Sequence, residues 1–153
     1  GSSLQERMRG YFQCLKDHDI PPVSGIVAVN MYDGSMVGPR LDAMLKEHPD
    51  VTAIQCANDH IANYAYKWAQ ERGLRVPEDI SIIGFDNDAF TATMSPPLTT
   101  IAQDFNLIGA EAAELILDLS KNGSKLKRVI YTTVELVERD SVKDLQESSK
   151  PAR

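Results

Sequence analysis

Short β-branched runs alternate along this chain with longer stretches in which apolar residues recur every three or four positions. That alternation constrains the fold more than any other feature. The helical spacings are Leu4, Met8, Tyr11, Phe12 and Leu15; Val37, Leu41, Met44 and Leu45; Ile61, Ala65, Trp68 and Ala69; and Ile108, Ala112, Leu115, Ile116 and Leu119. Strand-like runs stand at residues 25–29, 52–56, 80–85, 99–102 and 129–137. Strands separated by helices of about ten residues require right-handed crossovers, so the pattern predicts an α/β fold, a mainly parallel sheet with helices on both faces.

Local punctuation agrees with these elements. Pro39 fits a helix only in the first turn, where its missing N–H is not needed. Asn58 or Asp59 can cap the helix carrying Trp68, and Gly73 is suited to end it. Asn122-Gly123 stops the next helix, and the polar stretch 140–153 is expected to fray. A length of 153 residues supports one domain with a real core and is too short for two ordinary ones.

Sixteen basic against 22 acidic residues give a formal charge of −6, which repels phosphate backbones, so this chain is not itself expected to bind DNA. The basic run at residues 121–128 surrounds an Asn-Gly turn and reads as a solvated loop. Cys14 and Cys56 lie in apolar stretches without CxxC spacing, so buried free thiols and a reducing compartment are expected. No run approaches the roughly 18 apolar residues of a membrane span, and residues 1–9 carry no signal-peptide core. The expected location is cytoplasmic, without membrane contact.

Ligands of open α/β sheets sit beyond the carboxyl ends of the strands, which directs attention to the residues following each run. These are Asn30, Met31 and Tyr32; Asn58 and Asp59; Asp86; and Gln103 and Asp104. Amides and a carboxylate on one edge suit a polyhydroxylated ligand or a nucleobase, which needs several directional hydrogen bonds to offset its desolvation. Helix capping competes for Asn58, Asp59 and Asp104, and a buried pair with arginine could account for Asp86. Arg7 heads the first helix, where the dipole disfavours a cation, so its guanidinium is a candidate to clamp a ligand oxygen or pair with a carboxylate. Catalytic signals are missing: Cys14 and His18 have no third partner, no glycine pattern spells a phosphate cradle, and no cofactor or metal is expected.

The stretch AIQCANDHIANYAYKWAQERGLRVPEDISIIGFDN, residues 53–87, resembles the hallmark segment of the LacI/GalR (lactose-repressor-type) regulator family. SPPLTTIAQDFNLIGAEAAELIL at 95–117 is similar to its continuation, LVERDSV at 136–142 to its closing segment, and ERMRGY at 6–11 to the helix opening its C-terminal lobe. The resemblance implies one lobe of a periplasmic-binding-protein-like fold, with a sensor lobe at 1–142 and a polar tail or linker at 143–153. It also implies that a helix-turn-helix head and most or all of a first lobe lie upstream, so operator DNA is contacted only through that head. The implied partners are a small-molecule effector, a sugar or related polyol, and a second copy in a homodimer. Arg7 and Asp86 match effector-contacting positions, with Asn58 and Gln103 as further contacts. Met31 stands where many members place an aromatic, substituting a thioether for flat stacking. Asn63 and Met94 fall near the family's dimer surface.

Other classes make different expectations. A periplasmic solute-binding protein would carry an upstream signal peptide, and a hybrid protein would place another output beyond residue 141. An α/β enzyme would need a nucleophile, base and oxyanion arrangement that these residues do not present.

Overall fold

The computed structural model describes residues 3–22, 34–122 and 129–145. Among the described residues, four α-helices and four strands follow one another in the order the periodicity sets. Helix α1 spans Ser3–Asp17, α2 Val37–Glu47, α3 Asp59–Glu71 and α4 Phe105–Asn122. The strands are β1 Ala53–Gln55, β2 Ser81–Ile83, β3 Thr100–Gln103 and β4 Val134–Val137. Pro39 falls in the first turn of α2, as its missing N–H requires. The strand expected at 25–29 lies outside the described residues, as do Asn30, Met31 and Tyr32.

Strands β1 and β2 pair in parallel, with Ala53 opposite Ser81 and Gln55 opposite Ile83. Parallel bridges Ile83–Thr99 and Asp86–Ala102 continue the sheet toward β3, through the amide of Gly84 to the Thr99 carbonyl at 3.0 Å and that of Asp86 to the Ile101 carbonyl at 2.8 Å. Strand β4 joins β3 in antiparallel register, Thr100 opposite Val137 and Gln103 opposite Val134. Periodicity left that direction open, because residues 123–133 are enough chain to enter the sheet from either end. It also overestimated the length of the last strand. β3 offers partners only from Thr100 to Gln103, and Val129 and Tyr131, beyond its reach, are 74% and 90% exposed.

The core forms where α2 and α3 meet β2. Val37 and Leu41 pack with Ala62, Ala65, Trp68 and Ala69, and Ile80, Ile82 and Leu98 close it from below. Trp68 Nε1 donates to Asp42 Oδ1 at 2.9 Å, which satisfies the indole N–H at the α2–α3 seam. Arg72 pairs with the same carboxylate, and that hydrogen bond is the main cause holding the Asp42 carboxyl below its ordinary range. Cys56 is buried, and desolvation pushes its thiol up to about 12. Cys14, expected to be buried, is exposed, because α1 contains no buried residue.

Helix α3 is closed at both ends by its own sequence. Asn58 Oδ1 accepts the Ile61 amide at 2.9 Å. At the other end Gly73 adopts φ +68°, the Leu74 amide reaches the Ala69 carbonyl at 2.9 Å and the Gly73 amide that of Gln70 at 3.1 Å. This is the paired Schellman geometry. A Cβ on Gly73 meets nothing within 4 Å, so Gly73→Ala tests the backbone preference alone. It should cost about 1 kcal/mol and lower Tm by about 2–4 °C in a thermal melt; an unchanged Tm would mean the left-handed conformation is not required.

The closing segment after β4, expected to fray from residue 140, is instead tied into the sheet at Ile82 and Thr99. Ser141, fully buried, accepts the Thr99 amide at 2.8 Å through Oγ and donates to the Ile82 carbonyl at 2.6 Å, while its own carbonyl takes the Ile82 amide at 3.0 Å.

Candidate functional site

The carboxyl ends of β1, β2 and β3 open onto one edge, and there Arg7, Asp86 and Gln103 converge. Gln103 Nε2 donates to Asp86 Oδ1 at 2.6 Å. Arg7 Nη2 lies 3.9 Å from the same oxygen. The Arg7 guanidinium also stacks over the Phe85 ring, 3.6 Å from its centroid, and Nη1 donates to the Ala57 carbonyl at 2.6 Å. These contacts fix the plane of the guanidinium and account for a cation at the start of α1. The Arg7 and Asp86 side chains keep 24% and 23% of their surface exposed, so the cluster is reachable from solvent.

The remaining expected residues divide by their partners. Asn58 sits at this edge with its side-chain oxygen committed to the α3 cap. Asp104 caps α4, its Oδ1 accepting the Leu107 amide at 2.9 Å. Asp59, also expected as a possible cap, is fully buried and does something else: Oδ2 accepts the Asp88 amide at 2.8 Å and Oδ1 accepts the Thr100 hydroxyl at 2.6 Å. Gly84 leaves the room this needs, since a Cβ there would stand 2.1 Å from Asp59 Oδ1. Met31 lies outside the described residues.

Three features of the site went unnoticed in the sequence. Phe85, the last residue of the strand-like run at 80–85, serves as the platform under Arg7. Asp86 and Asn87 both take positive φ, 114° and 57°, each costing roughly 1–3 kcal/mol unless the surroundings hold it. Arg139, visible only as one letter of the closing segment, places Nη2 2.8 Å from Asn87 Oδ1. The consecutive Asp-Asn pair was the available signal for the backbone, because these two residue types tolerate left-handed conformations best among those with a Cβ. Nothing local marks Arg139, whose partners are 40 or more residues away.

Burial is the main cause that raises the Asp86 carboxyl above its ordinary 3.8; Gln103 and Arg7 oppose it, and Asp59 and Asp88 add to it. A carboxyl with a raised folded pKa binds its proton more tightly in the native state. Its stability contribution therefore falls as pH rises from 3.8 through the folded value, and the deficit is constant above it. Asp86→Asn should remove that slope. The Tm of the variant relative to the parent is expected to grow over this acid window and then level off, and a gap that shrinks with rising pH would reverse the assignment.

A guanidinium donor, a carboxylate and an amide can together bind a polar ring-shaped ligand. Among the described residues no group of three or more His, Cys, Asp or Glu side chains gathers to hold a metal ion, and no helix is long and apolar enough to cross a membrane. Two concavities elsewhere, one lined by Glu111, Glu114 and Asp118 and one by Val76, Glu78 and Lys143, include none of Arg7, Asp86 or Gln103.

Comparison with known proteins follows the same line. A family model described as periplasmic binding protein-like domain matches residues 2–142. The chain is 35% identical over 144 residues to the HTH-type transcriptional repressor PurR of Aliivibrio salmonicida, covering 94% of this chain and 43% of that protein. It is 34% identical to PurR of Vibrio atlanticus, covering 92% and 42%. Among solved structures, a transcriptional regulator CelR–cellobiose complex superposes with a TM-score of 0.80 at 26% identity, covering 89% of this chain and 42% of that one. A LacI-type transcription regulator from Bifidobacterium animalis subsp. lactis gives 0.76 at 29%, with coverages of 92% and 51%. A LacI family regulator from Enterococcus faecium with bound ribose gives 0.74 at 27%, with coverages of 91% and 51%. The chain thus spans less than half the length of these two repressors.

Proposed function

The chain belongs to the LacI/GalR family, as part of its periplasmic-binding-protein-like effector domain, and from that premise we propose that it is the C-terminal sensor lobe of a bacterial transcription regulator. The lobe occupies residues 1–142, with 143–153 as a tail or linker. Its partner lobe and a helix-turn-helix head belong to the length that the repressors have and this chain does not cover. The observation that carries the reading is the convergence of Arg7 and Gln103 on Asp86 at the sheet edge. An open, partly exposed cluster of this kind is what one wall of a two-lobed cleft presents. It offers directional hydrogen bonds, and the relatives are repressors, which supports a site that binds an effector.

The ligand is a small polar effector, a sugar or nucleobase-like ring. Its hydroxyls or ring nitrogens meet the Asp86 carboxylate, its oxygens meet Arg7, and Gln103 and Asn58 complete the wall. Solved relatives with cellobiose and with ribose support a carbohydrate. Binding between the lobes favours one lobe orientation over the other. Differential affinity for the two orientations is what reaches the DNA-binding head, since equal affinity shifts nothing. The regulator works in the cytoplasm as a homodimer and meets operator DNA only through its head.

The test is a thermal-shift panel on the two-lobed protein with ribose, cellobiose, lactose, sugar phosphates, hypoxanthine, guanine and adenosine. Ligand at 100 times Kd stabilises the native state by about 2.7 kcal/mol, a readily measured rise. One chemical class raising Tm identifies the effector; no rise with any class overturns the small-polar-effector reading.

A further inference from the structure

We infer that Arg139 is a positioning residue of the effector site, a side chain from the closing segment that sets the Asp86–Asn87 turn and thereby the direction of the Asp86 carboxylate. The inference rests on the sensing reading above for its functional meaning, while its structural content is independent of any ligand.

Two adjacent residues with a Cβ hold positive φ at the position where the carboxylate leaves β2. Such a turn persists only when its neighbours over-determine it. Three ties do so here. The Asp86 amide is held by the Ile101 carbonyl at 2.8 Å and the Asp88 amide by the buried Asp59 at 2.8 Å, which fixes the backbone on either side of Asn87. The third tie is the Asn87 side chain itself, whose Oδ1 accepts from Arg139 Nη2 at 2.8 Å. The other arm of that guanidinium is anchored in turn: Nη1 donates to the Leu98 carbonyl at 2.6 Å and to Thr91 Oγ1 at 3.0 Å. A planar donor held at two acceptors is a rigid strut, so the position of Asn87 is set by Leu98 and Thr91 rather than by solvent.

The strut is separable from the fold. The backbone of Arg139 is tied independently, its amide donating to Thr99 Oγ1 at 2.9 Å, and the next anchor is the buried Ser141 with its bonds to Thr99 and Ile82. Truncating the Arg139 side chain therefore removes the strut and leaves the closing segment attached. The same geometry joins the effector contact to the buried Ser141 anchor, because only Asp140 stands between Arg139 and Ser141.

The experiment combines amide hydrogen exchange with binding in the two-lobed protein, for Arg139→Ala, Arg139→Lys, Asn87→Gly and the Arg139→Ala/Asn87→Gly pair. Exchange at the Asp86 and Asp88 amides should speed at least about tenfold in either the alanine or the glycine variant. The double variant should add no more than about twofold, since the Arg139–Asn87 bond is the one that both single variants remove. Amides in the middle of α3 should stay as slow as in the parent, and Arg139→Lys, which keeps one donor, should fall between. With D-ribose as probe, the same variants should weaken binding about tenfold with the same non-additivity. Multiplying effects, unchanged exchange at 86 and 88, or a parallel rise across α3 would overturn the inference. If the parent does not bind ribose, ribose is not the effector, while exchange still decides whether Arg139 holds the turn.

Discussion

Asp86→Ala in the two-lobed protein is expected to weaken effector binding about 100-fold or more while shifting Tm by less than about 2 °C. The two halves of that expectation have separate causes. A hydrogen bond to a charged acceptor contributes about 1.5–3 kcal/mol, and a carboxylate that receives two ligand donors therefore accounts for a loss of this size. Stability should hardly respond, because Asp86 is partly exposed and its ionised form is opposed by burial, so deleting it removes a strained group along with its bond from Gln103. Isothermal titration with the effector returned by the panel, beside a thermal melt, reads both quantities. A tenfold or smaller loss would show that the carboxylate is not the principal contact. Equal collapse of binding and Tm would show that Asp86 supports the fold.

The second large effect lies in the core. Trp68→Ala is expected to destabilise the lobe by about 3–5 kcal/mol, the range for emptying a large buried aromatic site. Trp68 is 2% exposed, packs among Val37, Leu41, Ala65 and Ala69, and carries the indole bond to Asp42. Its neighbours on α3 are alanines, which cannot expand into the space, so collapse around the cavity is limited. Asp42 retains Arg72 as partner, so no buried charge is stranded. Trp68→Phe should cost less, keeping most of the volume and losing the indole bond, a difference of about 1 kcal/mol. Urea unfolding separates the outcomes: a lowered midpoint at constant m is the expected result, and an alanine variant within 1 kcal/mol of the parent would place the core elsewhere.

Much of this was legible from the chain alone. The apolar spacing located the four α-helices among the described residues, and the Asn58 and Gly73 signals at the ends of α3 proved to be a working cap and a Schellman stop. Strand existence was legible and strand extent was not. Runs at 52–56 and 80–85 shrank to three paired residues each, because pairing depends on what the neighbouring strand can offer. The rule that ligands meet the carboxyl ends of strands picked out Asp86 and Gln103, which do touch, and the anomalous cation at the start of α1 picked out Arg7, which joins them.

Physical chemistry divides the rest. The sequence by itself determined the class of fold, the order of elements, the capping of α3 and the residue types at the sheet edge, because these depend on period, turn chemistry and positions close along the chain. Only the tertiary structure decided the antiparallel entry of β4, the burial of Asp59 under the Asp86 turn, the exposure of Cys14, the platform role of Phe85 and the reach of Arg139 to Asn87. Each of these rests on partners tens of residues apart, and a side chain's role is set by whichever distant groups the packed sheet brings within hydrogen-bond distance.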